Sequence, residues 1–139
     1  MKTIVSGLVM AAAVVAVAAP ASAHHSFAMF DAKKTVVIDG TVKEFQFTNP
    51  HSWLEIDAME NGAAKHWSFE MNNLVGLRRV GWRAKTLQPG DKVKVTMHPM
   101  RDGTNAGQLM SVVLPNGQLF DGQGFKQPTG AGAPAPTAG

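Results

Sequence analysis

Between Thr35 and Leu114, apolar residues recur at every second position in five short runs, punctuated by proline, glycine or asparagine turn signals. Side chains alternate across a strand, so this period commits the runs to half-buried β-strands. Val36, Ile38 and Val42 share one parity, whereas Phe45 and Phe47 take the other. The change of phase predicts a bulge or bend near Lys43-Glu44, helped by Gly40, in one long first strand over Thr35–Phe47. Asn49-Pro50 ends it, because proline has no N–H to give a ladder. Ser52–Met59 reads as a second strand, with Leu54, Ile56 and Ala58 inward and Trp53, Glu55 and Asp57 outward. Glu60-Asn61-Gly62 is a turn signal. A third strand follows over His66–Met71, with Trp67, Phe69 and Met71 aligned.

Asn72 or Asn73 caps a short helix through its side-chain oxygen. Leu74, Leu77 and Val80 form the helix stripe, and Gly81 suits its exit. Pro89-Gly90-Asp91 turns the chain into a fourth strand with Val93, Val95 and Met97 inward. After a loop over 101–107, Gln108–Leu114 makes a fifth strand, and Asn116-Gly117 signals a hairpin. Three strands, a helix, then two strands, with a bent first strand, is the order of a small five-stranded barrel of the OB type. The competing arrangement is an open sandwich of five or six strands covered by one helix. Residues 35–120 are the expected barrel domain and 24–34 an arm that Phe27 and Phe30 pin down. Residues 121–139 are rich in Gly, Pro, Ala and Thr, a composition expected of a disordered tail.

Ahead of the arm, Lys2, an apolar run over residues 4–19, Pro20 and then Ala21-Ser22-Ala23 form the pattern of a cleaved secretory signal, residues 1–23. The expected destination is the periplasm. Cleavage after Ala23 leaves 116 residues, enough for one modest core. It also leaves 12 basic residues against 10 acidic ones, scattered apart from Arg78-Arg79, which argues against nucleic acid as a partner. The run is too short and Ala-rich for a membrane span, and nothing in the mature chain resembles one. The chain has no cysteine, which excludes disulfides, thiolate metal sites and a cysteine nucleophile. No G-x-S-x-G element, phosphate loop or H-E-x-x-H helix is present, so an enzyme is not the expectation.

The segments His24-His25-Ser26-Phe27-Ala28-Met29-Phe30-Asp31, Gly40-Thr41-Val42, Thr48-Asn49-Pro50-His51-Ser52-Trp53, Trp67-Ser68-Phe69-Glu70-Met71 and Gly81-Trp82 together resemble an uncharacterised family of small exported bacterial proteins, a domain of unknown function. The likeness runs from about Ser26 to Leu119. It implies export, small size and a mostly β domain, and it brings no established activity or catalytic residue.

The site must therefore be argued from chemistry. A chain that begins at His24 offers an α-amine and an imidazole from one residue, and a second imidazole completes a three-nitrogen set suited to Cu(II). His51, just after the Pro50 break, is the first choice for that second ligand, and His98, outward on the fourth strand, is next. His66 reads as surface. Met97 and Met110 have core parity and read as packing rather than as thioether ligands, while Met29 and Met100 stay open. The competing function is capture of a peptide or small organic ligand on the sheet face by Trp53, Glu55 and Asp57. A plainer role for Trp53 is packing beneath the arm against Phe27 or Phe30, with Glu55, Asp57 and Glu70 a solvated outer face. The expectation is thus a small exported binding protein, with copper as the ion and no other cofactor.

Overall fold

The computed structural model describes residues 27–130. Its sheet comprises β1 (Val36–Gln46), β2 (Trp53–Glu60), β3 (Ala63–Glu70), β4 (Lys92–Pro99), β5 (Ala106–Val113) and β6 (Leu119–Asp121), with helix α1 (Leu74–Arg79) between β3 and β4. The strands run in the order β3-β2-β1-β4-β5-β6, and β3 also pairs with β5 in parallel. That last pairing, Ser68–Glu70 beside Ala106–Gln108, closes the first five strands into a barrel of the OB type. The open sandwich is thereby excluded.

The long first strand bends where its parity changes. Val42 faces Ile56 and Glu44 faces Glu55, so Lys43 is the extra residue of a bulge. β1 pairs with β4 over Val36–Thr41 and with β2 over Thr41–Gln46. Gly40 sits at the handover, where a Cβ would stand 2.7 Å from Ile56 Cδ1. The β2–β3 hairpin turns on Asn61 and Gly62, both at positive φ, the two-residue turn that matches strand twist. Asn73 caps α1 through a bond from the Gly76 N–H, and Arg78 and Arg79 lie in its last turn.

Leu54, Ile56, Ala58, Phe69, Met71, Val93, Val95 and Met97 fill the barrel as their parity predicts. Leu77, Val80, Trp82 and Leu87 plug one end beneath α1. Trp82 is fully buried between Phe45 and Phe120, and its indole N–H is satisfied by the Asp121 carbonyl at 2.8 Å. Leu74 is only half-buried, so Leu77 and Val80 carry the helix stripe.

Three features depart from the sequence reading. Met110 is not core. Thr96 faces Ser111 and Met97 faces Leu109, which leaves Met110 as the extra residue of a second bulge, turned outward beside buried Leu109. Within the arm, Phe30 is buried and bridges to Met100, whereas Phe27 is exposed. The stretch 121–130, which composition assigns to the tail, packs along the barrel as a strap. Gln123 is buried and donates to the Leu109 carbonyl at 2.6 Å, and Thr129 exchanges backbone bonds with Leu119. Residues 1–26, with the expected signal, and 131–139 lie outside the described residues. Among the described residues no helix is long and apolar enough to cross a membrane.

Leu54 is completely buried and Val75 is exposed, so truncation should separate them. Leu54→Ala should lower stability by about 2–5 kcal/mol in urea unfolding, and Val75→Ala by less than about 0.5 kcal/mol. Equal losses would contradict the placement of the core.

Candidate functional site

His51 is held by a short loop latched to the link from β3 into α1, residues 71–74. Ser52 N–H donates to the Asn72 carbonyl, Met71 N–H donates to the Ser52 carbonyl, and Leu74 N–H donates to Asn49 Oδ1. Ser52 is fully buried, and its hydroxyl reaches back to the Thr48 carbonyl at 3.1 Å. These bonds hold the His51 ring in one place.

The ring's Nδ1 lies 3.0 Å from the Met71 carbonyl and 3.2 Å from Glu70 Oε1. A carbonyl only accepts, so Nδ1 carries the proton, and the lone pair of the neutral ring is on Nε2. No described residue bonds Nε2. A histidine whose far nitrogen is fixed by a carbonyl and a carboxylate is the arrangement by which proteins orient a metal-binding or proton-accepting imidazole. Glu70 is buried beside it, not on a solvated face with Glu55 and Asp57.

His51 and Glu70 line a cavity of about 260 Å³. Phe27, Phe30, Met71, Met110 and Phe125 make it largely apolar, and Gln108 and Gln123 add polar groups. It lies over the β3–β5 seam, because Glu70 and Gln108 are register partners there. Gln123 ties the strap to this wall through a 3.1 Å bond from Gln108 Nε2. Met110 reaches the cavity because the β5 bulge turns it outward.

The other expected ligands are placed elsewhere. His98 is half-buried, its Nδ1 donates to the Lys34 carbonyl at 2.7 Å, and it is not on this cavity's wall. His24 lies outside the described residues, three positions ahead of Phe27. Among the described residues no three His, Asp or Glu side chains form a group able to hold a metal. Met29 is half-buried in the arm, and its carbonyl accepts from Arg101 N–H.

The sheet-face trio is also rearranged. Trp53 is half-buried, and no aromatic pair joins it to Phe27 or Phe30. Glu55 and Asp57 are bridged by His66, which lies 2.7 Å from Glu55 Oε2 and 2.9 Å from Asp57 Oδ1. Ser68 donates to the other Glu55 oxygen at 2.7 Å. His66 is exposed at the surface, as expected, and is the hub of these contacts. This was open to derivation. The Asn61-Gly62 turn pairs Glu60 with Ala63, and counting back along the ladder sets Asp57 opposite His66. Asp57 also borders a wider hollow of about 560 Å³, where Lys94 is paired with Asp39 and Lys92 with Thr41.

The Asp57 hydrogen bond, with help from Glu55 and against partial desolvation and Lys43, raises the His66 pKa above the ordinary value near 6.5. A raised folded-state pKa contributes stability that is fully present below the unfolded value and lost as pH rises through the folded one. The melting-temperature advantage of wild type over His66→Gln should therefore be larger at about pH 5.5 than at about pH 8.5. An advantage that grows with pH would contradict the bridge.

No curated protein and no solved structure matches the chain. The DUF6152 family, a family of unknown function, matches residues 11–110, which span the arm and the strands as far as Met110. The matched segment holds His51, Glu70 and both bulges, and it covers most of the chain. The protein belongs to the DUF6152 family.

Proposed function

We propose that this protein is a small exported binding protein of the periplasm that takes a copper-like ion at the His51 cavity. Cleavage after Ala23 gives His24 a free α-amine. That amine and the His24 imidazole supply two nitrogens, and His51 Nε2 supplies a third. One observation carries the reading: Phe27 lines the same cavity as His51. Three residues span at most about 10 Å of extended chain, so residue 24 lies within reach of the cavity mouth. The Met71 carbonyl and Glu70 would hold the His51 tautomer with Nε2 toward the ion. Three nitrogen ligands fit Cu(II), which stands at the top of the divalent affinity order.

The sheet-face reading is weaker, because the carboxylates of Glu55 and Asp57 are engaged by His66. A peptide or small organic ligand would find a better-formed pocket at the largely apolar His51 cavity than around Trp53.

The test compares protein beginning at His24 with the same chain acetylated at its α-amine. Cu(II) titration should give binding to the first that is at least roughly tenfold tighter than to the second, because acetylation removes the amine from the chelate. Equal, weak binding by both would overturn the proposal and leave the organic-ligand reading. Glu70→Gln in the His24 form should weaken Cu(II) binding by roughly 10–100-fold, the usual cost of losing an orienting carboxylate.

A further inference from the structure

At one end of the barrel the strap runs alongside α1. A Cβ on Gly124 would stand 2.7 Å from the Gly76 backbone, and Gln127 Nε2 donates to the Arg79 carbonyl at 3.1 Å. Pro128 Cγ lies 3.3 Å from where a Gly81 Cβ would sit. Arg83 folds back onto the same helix end, with Nη1 donating to the Arg78 carbonyl at 3.0 Å. These contacts make one continuous surface, on which Arg78, Arg79, Arg83, Lys85 and Lys126 are all exposed.

None of these five has a carboxylate partner among the described residues. Elsewhere on the barrel Lys34, Lys65, Lys94 and Arg101 each have one, whereas Lys33, Lys43 and Lys92 are likewise without one but scattered. Asp121, the carboxylate on the strap itself, accepts from the Gln123 and Phe125 amides. Charge alone is an ordinary feature of a surface. Here it comes with Phe125, 81% exposed on the strap, and Val75, 64% exposed on α1. Gly124 packs on Gly76, so the chain positions next to Phe125 and Val75 are in close contact where the strap meets α1.

Protruding apolar side chains on the same end as cations without carboxylate partners match the boundary between acyl chains and acidic headgroups. Arg78 lies over the Phe47 ring, 5.6 Å from its centroid. Arginine's planar fork suits phosphate. We propose that the α1–strap end docks on a bilayer surface bearing anionic phospholipid, with Phe125 and Val75 entering the headgroup boundary. An acidic protein would match the cations equally well, but the apolar protrusions favour a bilayer. This does not depend on the copper reading. Phe125 also lines the His51 cavity, so docking would bring that cavity's rim to the membrane surface.

The experiment is sedimentation of protein beginning at His24 with vesicles of phosphatidylcholine, with or without phosphatidylglycerol. The protein should co-sediment with the acidic vesicles and stay in solution with the neutral ones. Replacing Arg79, Lys85 and Lys126 together by glutamine should weaken binding by at least roughly tenfold. The charge-matched replacement of Lys33, Lys43 and Lys92 should leave it unchanged. Phe125→Ser, at an exposed position, should weaken the binding that survives added salt, and it serves if the triple variant fails to fold. No sedimentation with acidic vesicles would overturn the proposal and favour an acidic protein partner. Equal losses from the two triple replacements would also overturn it, because net charge alone would then account for binding.

Discussion

Three parallel residue pairs hold this fold closed. β3 and β5 meet only at Ser68–Glu70 and Ala106–Gln108, and without that seam the sheet would be an open ribbon with two long edges. The seam also builds the site. Its last pair, Glu70 and Gln108, forms part of the cavity wall, and the chain leaving it at Met71 supplies the carbonyl that fixes His51. The strap crosses at the same place, where Gln123 is bonded to Gln108 and to the Leu109 carbonyl. Barrel closure and the orientation of one imidazole are thus consequences of the same contact.

Two bulges do complementary work. The one at Lys43 lets a single strand serve both halves of the barrel, first beside β4 and then beside β2. The one at Met110 turns a thioether out of the core and into the cavity. Bulges commonly re-aim side chains in this way near binding sites. The surface divides along similar lines. Carboxylates around His66 are engaged by its ring, whereas the cations of the α1 end have no carboxylate partner among the described residues.

Much of the barrel was legible because strand parity is strict. Leu54, Ile56 and Phe69 could face inward only if their neighbours faced out, and the phase change between Val42 and Phe45 located the first bulge. Asn73 declared the helix start through its side-chain oxygen. Met110 was misread because it shares one apolar parity with Val112 and Leu114, so the second bulge shows no phase change of the kind that marks the first. Glu70 was misread because its burial comes from the His51 loop and the strap, which are distant in the chain. The strap itself was hidden by composition. Its anchors are two glutamines, three glycines against backbone and a proline on Gly81, none of which looks like a core residue. The His66 bridge was missed, although the length of one turn sets Asp57 opposite His66.

The central claim is that the β3–β5 seam holds His51 with Nε2 free to join the amine of residue 24 around one ion. A crystal structure of the His24-starting protein grown with Cu(II), phased at the copper edge, tests it most directly. The account predicts one anomalous peak at bonding distance from His51 Nε2 and from the terminal nitrogen. A peak at His98 or between Glu55 and Asp57, with none at His51, would contradict it.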